Sequence, residues 1–242
     1  MALGKVVVDQ SFWDLFPDAK INVMFINNFK NESPDLTKAD REKMLNQAVE
    51  ESSKFTQVDP FRKNPVIAQW REAYQKFPKR KGARASVEAL LKRANKGHVF
   101  DPINPLVDMY NAISMTYGVP VGIEDADSIT GDMHLGKAKG GEAFVSVGGD
   151  GNNESDPARE GEIIYYDNEG AVCRSLNWRD SSRTQLNDNT TNAVVVIESV
   201  NDEQAQRALE AMNQLHQEVE QYFKVKPSQV FTLTKDAPEA VR

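Results

Sequence analysis

Two clusters of side chains hold most of the chemistry that this sequence offers. Gly122-Ile123-Glu124-Asp125-Ala126-Asp127 puts three carboxylates within four positions at the end of a short apolar run. Carboxylates so close together could bind an ammonium group or hold a water. The same residue types also cap and turn a chain, so a purely orienting role competes with the chemical one. The second cluster is Asn177-Trp178-Arg179, followed by Thr184, Thr190 and Thr191. Trp178 could stack on a base or sugar, and Arg179 could hold a phosphate or a carboxylate. The competing reading is a strand-end tryptophan covering the core beside an arginine paired to Glu or Asp.

Other chemistries find little support. His98, His134 and His216 are far apart in sequence, and Cys173 has no Cys or His near it. No two-ligand spacing results, so neither a metal nor another cofactor is expected. Gly148-Gly149-Asp150-Gly151 fits neither the phosphate-loop nor the dinucleotide pattern, and its acidic neighbours would repel phosphate. It reads as a turn. There is no GxSxG elbow. Cys173 lies in a strand-like run with only Arg174 as a charged neighbour, which suits a buried, inert thiol.

Charge adds a third feature. The 242 residues carry a formal net charge of −7, but Phe61–Phe100 holds eleven basic and two acidic residues. That segment is therefore +9, leaving −16 for the rest. Lys79, Arg80, Lys81, Arg84 and Arg93 form its densest part. Such asymmetry suits a face that meets a polyanion, or else ordinary solvated helix faces. The single cysteine excludes a disulfide within the chain, which fits a reducing cytoplasm. No signal-like start and no apolar run of membrane-spanning length is seen, so a cytoplasmic protein without a membrane partner is expected.

The elements that must position these residues follow from periodicity. Lys5–Asp9 and Ile21–Phe25 read as strands. Helices are expected over 37–53 and 64–77, from a cap at Ser86 to Lys96-Gly97, and from Asn104 to Gly118. Short strands follow at 119–123 and 143–147. Runs 162–166 and 171–176 flank Asp167-Asn168-Glu169-Gly170 as a hairpin. Ala193–Ile197 is wholly apolar and reads as a central strand, followed by a helix over 202–223 and a loose polar tail. Helices early and strands late favour an α+β fold.

One family resembles this pattern. Ile103-Asn104-Pro105-Leu106-Val107-Asp108-Met109-Tyr110-Asn111, then Tyr117-Gly118-Val119-Pro120-Val121 and Glu124-Asp125-Ala126-Asp127-Ser128-Ile129, resembles the tRNA-binding editing domain of the phenylalanyl-tRNA synthetase beta chain, the paired B-three/B-four unit. Gly140-Gly141-Glu142-Ala143-Phe144 and Thr190-Thr191-Asn192-Ala193 continue the likeness, which covers roughly 84–198. Asn177-Trp178-Arg179 resembles stand-alone members more than the synthetase. The resemblance implies mixed and antiparallel sheets layered with helices. It also implies a pocket that clears tyrosine mistakenly attached to phenylalanine tRNA. There a glutamate reads the phenol and a histidine follows a proline. Those positions fall at Gln185 and Gly122 here, so tyrosine-specific editing is not what the residues suggest.

Under that resemblance, Glu124 or Asp125 would take the α-ammonium, and Arg179 the terminal nucleotide or a carboxylate. Asn177, Trp178, Thr184 and Gln185 would wall the pocket. Lys79, Arg80, Lys81, Arg84 and Arg93 would meet the RNA backbone, whose contacts position without reading sequence. The expected activity is binding of tRNA or aminoacyl-tRNA with hydrolysis of a misacylated one. A non-catalytic RNA-binding module and a binder of a free amino acid are the alternatives. Residues 1–60 are expected to form an extension packed on the core, 61–198 the editing-like domain, and 199–242 a helix and tail.

Overall fold

The computed structural model describes residues 2–146 and 155–242. In chain order its elements are β1 (Lys5–Val8), α1 (Gln10–Trp13), β2 (Lys20–Ile26), α2 (Lys38–Ser52), α3 (Pro65–Ala73), α4 (Ser86–Asn95), α5 (Pro105–Tyr117), β3 (Gly122–Asp125), β4 (Met133–Lys137), β5 (Ile163–Tyr166), β6 (Ala171–Arg174), β7 (Arg179–Asp180), β8 (Ala193–Ser199), α6 (Asp202–Phe223), β9 (Phe231–Leu233) and β10 (Glu239–Val241). Among the described residues the strands form two sheets, ordered β10-β1-β4-β5-β6-β7 and β3-β8-β2-β9. The first is mixed, because β1 runs parallel to β4. The second is antiparallel throughout. The class is α+β. The Gly148–Gly151 turn lies outside the described residues.

Local chemistry sets several helix ends. Thr37 caps α2 and accepts from the Asp40 amide at 3.3 Å, while the Asp40 carboxylate accepts from the Thr37 amide at 3.0 Å. Asn104 accepts from the Val107 amide at 3.0 Å, Pro105 opens α5, and Gly118 closes it at φ +62°. Asn201 caps α6 through the Gln204 amide at 2.9 Å. Ser86 departs from its expected capping role. Ala85 occupies the cap, and Ser86 is the first helical residue. Its amide, one of the first-turn donors that no side chain caps, donates to the Asn177 carbonyl at 3.1 Å. The helix expected over 64–77 ends at Ala73.

Strand alternation divides the core. One face of β3-β8-β2 buries Met24, Ile26, Ile123, Val195 and Ile197 against Met109 and Ile113 of α5 and Met212 and Leu215 of α6. The other face turns Val23, Phe25, Val194 and Val196 toward Val6, Val8, Met133, Leu135 and Tyr165 of the mixed sheet. The layers are thus helices, sheet, sheet. Each such fully buried aliphatic side chain contributes about 1.5–3 kcal/mol relative to exposure.

The tail is not loose. β9 pairs with β2, and β10 pairs with β1, so the polar C-terminal segment is held by backbone hydrogen bonds that its composition does not advertise. Residues 1–60 likewise supply interior strands, with β1 between β10 and β4 and β2 between β8 and β9. In the stretch expected as a strand over 143–147, only a bridge between Ser146 and Ser181 forms among the described residues.

Candidate functional site

The two sheets do not meet evenly. Where β3 and β8 face β4–β7, they leave a cavity of about 40 Å³. Gly122 and Glu124 from β3 and Val196 and Glu198 from β8 form one wall. Met133, Tyr165, Cys173 and Asp180 form the opposite wall, and Ser86, Asn177 and Trp178 close one end. Strand period explains the selection: 122 and 124, and likewise 196 and 198, share a side of their strands. Ser86, Gly122, Trp178 and Asp180 are partly exposed and make the rim.

The cavity is acidic. Glu198 is 1% exposed. It accepts from Tyr165 Oη at 2.8 Å and from Asn177 Nδ2 at 3.2 Å. Asn177 is itself held by Tyr74, whose hydroxyl donates to Asn177 Oδ1 at 3.0 Å. Burial pushes the Glu198 carboxyl up to about 7, with the two donors opposing the rise. Burial also lifts Glu124 well above the ordinary carboxylate range, helped by the charge of Asp180. Oε2 of Glu124 is buried, and no donor reaches it among the described residues. Its carboxyl faces that of Asp180, also raised by burial, and such a pair closes by sharing one proton. The Cys173 thiol is pushed up, first by burial and then by Asp180, so it stays protonated and inert. The arrangement supplies a carboxylate ready to exchange a proton near neutral pH, beside an acidic pair able to receive a cation.

The expected site residues divide. Glu124, Asn177 and Trp178 line the cavity. Asp125, next along β3, turns to the other side. Its Oδ2 accepts from Thr190 Oγ1 at 2.7 Å and its Oδ1 from the Asp127 amide at 3.0 Å, so it orients the turn. Arg179 is exposed and lies over the Trp178 ring, 4.9 Å from its centroid. Thr184 is buried with its hydroxyl unpartnered among the described residues, and Gln185 is exposed. Tyr165, Asp180 and Glu198 join the site without having been expected there. The signal for Glu198 was a charged residue in register with the inward positions Val194 and Val196 of the most apolar strand.

The five basic residues also separate. Lys79 reaches the Tyr74 carbonyl, and Arg80 pairs with Asp156. Lys81 and Arg84 are exposed. Arg93, near the other end of α4, lies over Phe100 at 4.7 Å from its centroid.

A model of the B3/4 domain matches residues 69–235, a span that contains the helices and strands around the cavity. The chain belongs to the B3/4 domain family. Similar proteins include the phenylalanine–tRNA ligase beta subunit of Mycoplasmoides gallisepticum, 33% identical over 72 residues, which are 30% of this chain and 8% of that one. That of Corynebacterium jeikeium is 28% identical over 93 residues, 38% of this chain and 10% of that one. The matched part is thus a tenth or less of either relative's length. An N-terminal fragment of the phenylalanyl-tRNA synthetase beta subunit from Pyrococcus horikoshii aligns with 94% of this chain and 53% of its own, at 13% identity and a TM-score of 0.44. Within this B3/4 chain, Gly122 stands where the resemblance places the synthetase's histidine. A Cβ there would come within 3.0 Å of Val196 Cγ2, so a larger side chain requires the wall to shift. No helix among the described residues is long and apolar enough to cross a membrane.

Proposed function

We propose that this B3/4 protein binds the aminoacylated end of a tRNA and hydrolyses the ester of a misacylated one. The observation that carries this reading is Glu198, a buried carboxylate near pKa 7, oriented by Tyr165 and Asn177 and lining the same small cavity as Glu124 and Asp180. An aminoacyl ester is already activated, so a positioned water and a held substrate account for much of the chemistry. The substrate's α-ammonium replaces the shared proton between Glu124 and Asp180. Glu198 takes a proton from a water whose oxygen attacks the ester carbonyl. The carbon–oxygen bond to the ribose then breaks, and Glu198 returns the proton to the ribose oxygen. The products are a free amino acid and an RNA with its hydroxyl restored. The names of the two ligase relatives support tRNA as the carrier, and the +9 segment supplies counter-charge for its backbone.

A second reading is a module that binds RNA without catalysis. The absence of an imidazole at Gly122 favours it, as does the exposure of Gln185. A deacylation assay over a panel of misacylated tRNAs separates the two. The hydrolase reading expects at least one to be cleaved by the wild type and spared by Glu198→Gln. Cleavage of none would leave the binding module.

A further inference from the structure

A second depression lies on the other side of the cavity's end wall. It measures about 350 Å³ and runs between the last turn of α3 and the first of α4. Trp70, Arg71, Tyr74, Lys79, Arg84 and Glu88 line it. Glu88 is committed to Arg71, whose Nη2 and Nε donate to its carboxylate at 2.6 and 3.1 Å. That pair is internally neutral. Lys79 spends one of its three donors on the Tyr74 carbonyl, and the Arg84 guanidinium is exposed, so the groove keeps a net positive charge. Trp70 is fully buried, and its indole N–H has no acceptor among the described residues. An unpaired buried donor is costly, and an acceptor brought by a ligand would remove that cost.

Groove and cavity are lined by consecutive residues. Ala85 faces the groove and Ser86 the cavity. Tyr74 lines the groove while its hydroxyl holds Asn177, which in turn holds Glu198.

We propose that this groove is a phosphodiester subsite, in which Lys79 and Arg84 hold an RNA backbone phosphate above Trp70 while the acylated end enters the cavity. The proposal takes its ligand from the function proposed above, and it narrows the RNA contacts to one end of α4. Arg80, neutralised by Asp156, and Arg93, stacked on Phe100, fall outside the subsite. A peptide carboxylate would meet the same cations but would bring no repeating charge, so salt dependence separates it from RNA.

The test measures anisotropy of a labelled, uncharged single-stranded RNA with the full chain at several salt concentrations. Arg84→Gln and Lys79→Gln are compared with Lys235→Gln, an exposed lysine between β9 and β10. Each groove variant should weaken binding about three- to ten-fold and lower the salt slope by about 0.7, while Lys235→Gln stays within about two-fold. The Trp70 indole proton should also shift in the NMR spectrum on saturation with RNA. Groove variants that behave like Lys235→Gln, or a wild type that binds no RNA at the lowest salt, would overturn the subsite. Hydrolysis is scored separately. Loss of affinity in the groove variants with no hydrolysis of any tRNA keeps the subsite and removes the hydrolase. Hydrolysis with unchanged affinity in those variants does the reverse.

Discussion

The two faces of the β3–β8 ladder are opposite in character. Ile123, Val195 and Ile197 point to α5 and α6 and pack into an apolar cluster with their side chains. Gly122, Glu124, Val196 and Glu198, one residue out of phase, point to the mixed sheet and wall the cavity. The same hydrogen bonds hold both sets, since Glu124 pairs with Val194 and Gly122 with Val196. The helix side stabilises the fold by burial. The cavity side buries carboxyls against their preference and holds one of them, Glu198, with Tyr165 and Asn177. A strand buried on both faces can therefore carry stability on one and a strained site on the other, and the stiffness of the first fixes the geometry of the second.

The largest effect expected is catalytic. Glu198→Gln should lower hydrolysis of the susceptible tRNA by about 10²–10⁴-fold, the usual contribution of a general base, in single-turnover assays. A variant that hydrolyses normally would move the chemistry off this face. On the helix side, Ile197→Ala should cost about 2–5 kcal/mol of unfolding free energy in urea, with hydrolysis per folded molecule unchanged. If Glu198→Gln cost as much, the two faces would not be distinct.

Stability against pH sharpens the contrast further. Glu198 titrates near 7 in the folded chain and near 4.5 as a free side chain. The folded state thus holds a proton that the unfolded state releases between those values. Its contribution is fully present below about pH 4.5, is lost as pH rises to about 7, and amounts to about 3 kcal/mol. Urea melts from pH 5 to 8 should show that decline in the wild type, and a shallower one in Glu198→Gln. Tyr165→Phe removes a donor that opposes the rise, so the acid limb of the pH–rate profile should move to higher pH. The smallest effect is expected at Cys173. Its thiol should resist alkylation at pH 8 in the native state and react only on unfolding, as quantified by mass spectrometry.

Much of this organisation could be read before any coordinates. Asn104, Pro105 and Gly118 mark the ends of α5 by local hydrogen bonding and backbone preference alone. The apolar run at β8 and the Asp167–Gly170 turn are equally local. Glu124 and Asn177 were legible as polar residues at strand and loop ends. Glu198 was hidden by the run it terminates, and Asp180 by its neighbour Arg179, which alternation sends outward. Ser86 looked like a cap because its type favours one, but the Asn177 carbonyl claimed its amide. The tail looked loose because edge pairing uses backbone groups, which polar side chains do not reveal.

The sequence by itself determined the long helices and the most apolar strands, where several of them stop, and that positive charge gathers over 61–100. Those properties depend on neighbours a few residues apart. Only the tertiary structure decided that Glu124, Asp180 and Glu198 converge, that Asp125 does not join them, and that Lys79 and Arg84 flank a groove while Arg80 and Arg93 are drawn elsewhere. Convergence depends on how two sheets face each other. That is set by burial of side chains remote in sequence, and no local spacing encodes it.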